Sequence, residues 1–316
     1  MAAMTTARLD DLPPPVRPRR GLRRLREVPV LPSLITLGNL FCGFLAIAKV
    51  ADALRLATPG APFAQVVGLF ETAAVLVFFG MLFDALDGRV ARMTGQTTPF
   101  GAQLDSMADM VAFGTAPAFL GKVLVDWHAQ ADASRKLLPV HPKLFYAAAA
   151  VYVLCAALRL ARFNVETGAD EEDHREFKGL PSPAAAAVVC SLIALFCTRG
   201  GHDGQGHWLL APQHFDWIVM VMPGVLVVLG LLMVSRVPFP HAMTWMLKKR
   251  HSLPFLSGLV VFLIVAAVEW QFAVAVGTLG YLIVGLVIGL WRMLFGRRDD
   301  DDDGELVPAR PAPSRN

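Results

Sequence analysis

Eight stretches of this chain, roughly residues 32–52, 66–86, 103–124, 143–162, 182–198, 216–235, 252–269 and 271–294, are apolar over lengths comparable with the thickness of a membrane's hydrocarbon core. A helix crossing that core needs about 20 predominantly apolar residues. It also satisfies its own backbone hydrogen bonds, which a spanning segment must do. A 316-residue chain with 55% hydrophobic residues and a mean hydropathy of +0.50 is therefore expected to be all-α, a polytopic integral membrane bundle of about eight transmembrane helices. The last two runs are parted only by Glu269-Trp270-Gln271, so they form either a tight hairpin or one broken unit.

Basic residues orient the bundle, because Lys and Arg are retained on the cytosolic side. With the N-terminus inside, 22 of the 29 Lys and Arg fall in the N-terminal segment, 89–92, 159–178, 236–250 and 292–315. The other seven, Lys49, Arg55, Lys122, Arg135, Lys136, Lys143 and Arg199, fall on the opposite side. Both termini are expected in the cytosol. Residues 1–30, with Pro13-Pro14-Pro15 and six arginines from Arg17 to Arg26, read as a disordered basic segment that anchors the topology or attracts anionic headgroups. Ala46-Ile47-Ala48 imitates a signal-peptide cleavage site, but the preceding segment is too long and cleavage would remove a helix the topology needs. The tail from 297 to 316, five aspartates and then prolines, reads as a solvated acidic end without a catalytic role. Cys42, Cys155, Cys190 and Cys197 lie within apolar runs without C-x-x-C spacing, which suits buried small hydrophobes rather than disulfides or zinc. No P-loop or G-x-G-x-x-G is present, and nothing points to nucleic acid.

Against this apolar background stand four aspartates. Asp84 and Asp87 are three residues apart, and Asp105 and Asp109 four apart, so on helices each pair shares a face. Ionisable groups in membrane segments cost a few kcal/mol each on insertion scales and are rare without a task. Four carboxylates across a short turn cannot all ionise unless cations neutralise them. Hard divalent ions with oxygen ligands, Mg²⁺ or Mn²⁺, are the natural neutralisers. The topology puts this centre near the cytosolic face, within reach of soluble reactants and inner-leaflet lipid.

The full spacing, D-x2-D-G-x2-A-R-x8-G-x3-D-x3-D, runs through Asp84, Asp87, Gly88, Ala91, Arg92, Gly101, Asp105 and Asp109. It resembles the signature of the CDP-alcohol phosphatidyltransferases at every fixed position. The resemblance implies a six-helix catalytic core and a two-metal site. Asp84, Asp87 and Asp105 are its implied primary ligands, and Asp109 the general base that also touches the second ion. Cytidine diphosphate is implied to lie against Gly88, Ala91, Arg92 and Gly101. Glycine lets backbone approach a bulky ligand, and the arginine fork suits a phosphate. Small residues also serve helix packing, and that reading of the glycines stays open. A divalent-cation transporter is the alternative of another class; Gly88, Ala91 and Arg92 have no task in it.

Three further segments resemble the phosphatidylserine synthase branch. Pro32-Ser33-Leu34-Ile35-Thr36-Leu37-Gly38-Asn39, followed by Gly43, approaches P-N-x-x-T-x-x-N-x-x-x-G, with Ser33 in place of the expected Asn. Thr36 and Asn39 share a face and form a polar stripe for the nucleotide. Arg159-Leu160-Ala161-Arg162-Phe163-Asn164 closes the fourth run, and Phe177 to Pro183 and Arg236 to His241 follow the fourth and sixth runs. The resemblance covers residues 31–245 as the membrane catalytic domain, leaving 246–296 as two additional helices. It implies transfer of a phosphatidyl group from CDP-diacylglycerol to L-serine, with membrane lipid as a further partner and a homodimer admitted. Glycerol 3-phosphate or an inositol phosphate is the rival acceptor. Arg159 and Arg162, with Asn164 and Lys178, are the candidates for the serine carboxylate. A lipid phosphate or the positive-inside bias explains the same arginines.

Overall fold

The computed structural model of the chain describes residues 30–56, 63–95, 98–131, 143–166, 179–198, 216–239, 258, 266–267 and 269–295. Helices make up nearly all of them, in the order α1 (Val30–Leu56), α2 (Phe63–Thr94), α3 (Pro99–Asp109), a π-helical segment (Met110–Thr115), α4 (Ala116–Ala131), α5 (Lys143–Glu166), α6 (Ser182–Cys197), α7 (Asp216–Val234) and α8 (Trp270–Phe295). Among the described residues six helical units are long and apolar enough to cross a membrane: Val30–Leu56, Phe63–Thr94, Pro99–Ala129, Lys143–Val165, Trp217–Val234 and Trp270–Leu294. The protein is an all-α integral membrane protein. The seventh apolar run, 252–269, lies almost entirely outside the described residues, as do both tails.

The fifth run takes a place that hydropathy did not distinguish. α6 has 16 residues, about 24 Å at 1.5 Å per residue, and 13 of them, Ser182 and Ala185 among them, are buried. A helix apolar all round belongs inside a bundle. α6 accordingly packs against α2, α4, α7 and α8 instead of facing lipid. Around it, α1 lies along α2, and α5 along α7. At one end Trp127 packs in tilted contact with Phe63 and Phe70, ring centroids 5.3 and 5.8 Å apart, and edge-on with Phe196.

Two boundaries differ from the apolar runs and matter for function. α2 continues to Thr94, eight residues past the expected end at 86, because Asp87, Arg89 and Arg92 are compatible with helix and Gly88 weakens the helix without ending it. Gly95 stops it with φ +63°, a left-handed conformation that costs glycine little. The third unit begins at Pro99, four residues before the apolar run at 103. Proline suits a first helical turn, and the Thr98 hydroxyl accepts from the Gly101 N–H at 3.1 Å. All four aspartates thus lie within helices, on either side of one sharp corner.

Candidate active site

At this corner Asp84, Asp105 and Asp109 each offer an oxygen within 4.8 Å of the other two. Opposite ligands on an ion with bonds of about 2.1 Å stand roughly 4.2 Å apart, so the three oxygens lie near the span of a single cation's ligand shell. Carboxylates this close repel as anions unless a cation lies among them. The donor chemistry fits a hard divalent ion. Asp87, only 6% exposed, stands beside the cluster in reach of the Thr36 side chain. One oxygen of Asp87 and one of Asp105 are buried with no hydrogen-bond partner. Such oxygens are rare in folded proteins unless an ion or ligand completes them.

Asn39 sits behind the cluster. It is completely buried and donates from Nδ2 to Asp109 Oδ1 at 3.1 Å. The expectation that Thr36 and Asn39 together meet a nucleotide therefore divides: Thr36 lines the adjoining cavity, and Asn39 does not. The reason is steric. Gly80 of α2 leaves room for the amide, since a Cβ there would stand 2.8 Å from Asn39 Oδ1. Gly43, one turn on, lets α1 ride on the π-helical segment, where a Cβ would meet Ala112 Cα at 2.7 Å. That segment follows Asp109 directly and is pinned by Tyr152, whose hydroxyl donates to the Phe113 carbonyl at 3.1 Å. π-helical turns often mark functional sites; here one sets the angle at which α3 presents its aspartates. Gly80 and Tyr152 were not singled out from sequence, and only the small size of residue 80 hinted at its place.

A cavity of about 380 Å³ opens beside the aspartates, large enough for a small-molecule ligand. Its walls are Pro32, Ser33 and Thr36 of α1, Asp87, Gly88, Ala91 and Arg92 of α2, and Thr98, Gly101, Ala102 and Asp105 around the start of α3. Every signature residue except Asp84 and Asp109 lines it. A Cβ at Gly88 would meet nothing within 4 Å, and one at Gly101 only Thr98 Oγ1 at 3.4 Å. The helix-packing reading of these glycines has no neighbour to pack against; both border open space that a side chain would invade.

On the other flank, α5 turns its polar end toward α3 and α6. Arg159 donates from Nη1 to Ser182 Oγ at 3.1 Å and lies in electrostatic reach of Asp109. Asn164 Oδ1 accepts from Ser106 Oγ at 3.0 Å, one residue beyond Asp105. Arg162 is half-buried on the same helix. Lys178 lies outside the described residues. The segments starting at Gly179 and ending at Phe239 meet: the Gly179 and Leu180 N–H groups donate to the carbonyls of Val237 and Leu232 at 2.9 and 3.0 Å. Gly179 adopts φ +96°, and a Cβ there would collide with the Met233 carbonyl oxygen, so only glycine fits this strap.

The sequence model of the CDP-alcohol phosphatidyltransferases matches residues 29–229, which hold every helix of the site just described. The chain belongs to this family. Its relatives narrow the branch. It is 30% identical to the CDP-diacylglycerol–serine O-phosphatidyltransferase of Helicobacter pylori (strain J99) over 265 residues, covering 84% of this chain and 93% of that protein. It is 28% identical to the Bacillus subtilis (strain 168) protein of the same name, over 67% of this chain and 90% of that one. It is also 33% identical to the archaetidylserine synthase of Methanothermobacter thermautotrophicus, over 54% of this chain and 60% of that protein. Members of the family generally depend on a divalent metal, in keeping with the clustered aspartates. The family match ends at residue 229, before α8 begins.

Proposed function

We propose that the protein transfers the phosphatidyl group of CDP-diacylglycerol to the hydroxyl of L-serine, releasing CMP and phosphatidylserine. The observation that carries this reading is the convergence of one cavity and one carboxylate cluster. Asp87, Gly88, Ala91, Arg92, Gly101 and Asp105 line the cavity, and Asp105 also belongs to the Asp84–Asp105–Asp109 group. Relatives named for serine transfer support the acceptor.

Asp84, Asp87, Asp105 and Asp109 would hold Mg²⁺ or Mn²⁺ as a pair of ions; when bound, these neutralise the diphosphate and stabilise the departing CMP. The residues supply the rest. Cytidine diphosphate lies along the bare backbone of Gly88 and Gly101, with Thr36 on the facing wall. The Arg92 guanidinium pairs with a phosphate oxygen. Asp109 takes the proton of the serine hydroxyl. Asn39, bonded to Oδ1 of Asp109, fixes that carboxylate so that its other oxygen serves as base. The serine oxygen bonds to the phosphatidyl phosphorus as the phosphorus–oxygen bond to CMP breaks. Arg159, aided by Arg162, Asn164 and Lys178, holds the serine carboxylate. The site opens on the cytosolic side with both termini. All its residues come from one chain, so a protomer carries the chemistry whether or not it pairs as a homodimer.

Acceptor competition tests the reading. Purified protein is given CDP-diacylglycerol, divalent ion and labelled serine, glycerol 3-phosphate or an inositol phosphate, and the lipid product is identified. Serine alone is expected to yield labelled lipid. Preference for a phosphorylated acceptor overturns the serine assignment, and metal flux without CMP release points to the transporter.

A further inference from the structure

We propose that α8, which begins after the residues matched by the family model, walls the acceptor side of the site, and that its Tyr281 is a specificity-determining residue that positions Arg159 for the acceptor carboxylate. The inference rests on the proposed role of Arg159.

Polar pairs and a close glycine approach are among the contacts that hold α8 against the bundle. Near its start, Gln271 donates from Nε2 to Glu71 Oε1 of α2 at 2.9 Å. Midway, the hydroxyls of Thr278 and Ser191 of α6 pair at 2.8 Å. Toward its end, Gly289 lies on the segment after α7, where a Cβ would stand 2.9 Å from the Pro238 carbonyl and run into Val237. Lipid tails give helices no hydrophobic reason to associate, so polar pairs and small residues set which faces meet.

Tyr281 is one turn beyond Thr278, on the face turned to the bundle. It is half-buried and within electrostatic reach of the Arg159 guanidinium. Arg159 thus donates to Ser182 Oγ of α6 at 3.1 Å and lies within electrostatic reach of Tyr281 of α8 and of Asp109. Its Nε is buried without a partner, which leaves donor capacity for an incoming anion. The strap that leads into Ser182 is bonded through Gly179 to Val237, the residue against which Gly289 packs. The partners of Arg159 and the seat of α8 are therefore one packed unit. A long arginine side chain has many rotamers to lose on binding; holding its fork in advance lowers that cost and sharpens recognition of a planar carboxylate.

The test uses the full-length protein and steady-state kinetics with serine and CDP-diacylglycerol varied in turn. Tyr281→Phe keeps the ring and removes the hydroxyl. It is expected to raise the KM for serine about three- to tenfold, leaving kcat and the KM for CDP-diacylglycerol within about twofold. In an Arg159→Ala background the same substitution should add nothing, because its effect runs through the guanidinium. Thr278→Val, which loosens α8 one turn away, serves as a second variant if Tyr281→Phe lowers thermal stability, and should move serine KM in the same direction. Serine KM unchanged in both variants, or both KM values shifted equally, overturns the role of α8. If Arg159→Ala itself leaves serine KM unchanged, the acceptor reading of Arg159 fails and takes this proposal with it.

Discussion

Gly88→Ala separates binding from folding at a single methyl group. In a helix interior alanine is favoured over glycine by about 1 kcal/mol. A Cβ at Gly88 meets no protein atom within 4 Å, so the substitution should stabilise the fold by up to that amount, or about 2–4 °C in Tm for a chain of this size. The same methyl projects into the 380 Å³ cavity. A ligand seated against bare backbone there has to shift, and overpacking of this kind costs about 1–3 kcal/mol. At 1.4 kcal/mol per decade, the KM for CDP-diacylglycerol should rise roughly five- to 150-fold. The assay is CMP release in mixed micelles, with the mole fraction of CDP-diacylglycerol varied at saturating serine, alongside thermal unfolding of the same preparation. A stabilised protein with unchanged donor KM refutes the placing of the nucleotide in this cavity. A destabilised one refutes the statement that Gly88 borders open space.

The other predictions concern the charged groups. Asp84→Asn, Asp87→Asn and Asp105→Asn should each abolish CMP release in a protein that stays folded; near wild-type turnover by all three at saturating Mg²⁺ or Mn²⁺ would rule out the metal centre. Asp109→Asn should lower turnover by ~10²–10⁴ with a much smaller loss of CDP-diacylglycerol binding, and an equal loss of both would make Asp109 a plain ligand. Arg159→Ala should raise serine KM about ten- to a hundredfold, the worth of a charge-assisted contact. Arg159→Lys should recover only part of it, while a rise in donor KM instead assigns Arg159 to the lipid phosphate.

The parts of this fold that declare themselves in sequence are those where a residue conflicts with its surroundings. Four aspartates in apolar helices are costly enough to stand out, and their three- and four-residue spacings place each pair on a face. Six of the eight expected spans were legible because a bilayer demands long apolar runs. Less legible were features that depend on what lies across the bundle. Hydropathy cannot tell lipid from an apolar neighbour, so α6, buried nearly all round, resembled an ordinary span. The bond from Asn39 to Asp109 joins residues 70 apart, and without its partner Asn39 read as one more polar group facing the nucleotide. The π-helical segment Met110–Thr115 has no compositional mark; it sits where Gly43 fits against Ala112 and the Tyr152 hydroxyl bonds Phe113, contacts made across the bundle. Arg159 and Arg162 looked equivalent at a spacing of three, and nothing in the sequence signalled that Arg159 bonds Ser182 and lies in electrostatic reach of Tyr281.

Stoichiometry tests the central claim most directly. Purified protein in vesicles containing CDP-diacylglycerol is supplied with labelled serine, with divalent ion or with chelator, and CMP and labelled lipid are counted in the same sample. The account requires one CMP per phosphatidylserine, both lost on chelation and both lost in Asp105→Asn protein that melts at the wild-type temperature. CMP released without serine-dependent lipid, or phosphatidylserine made at an undiminished rate in chelator, would contradict it.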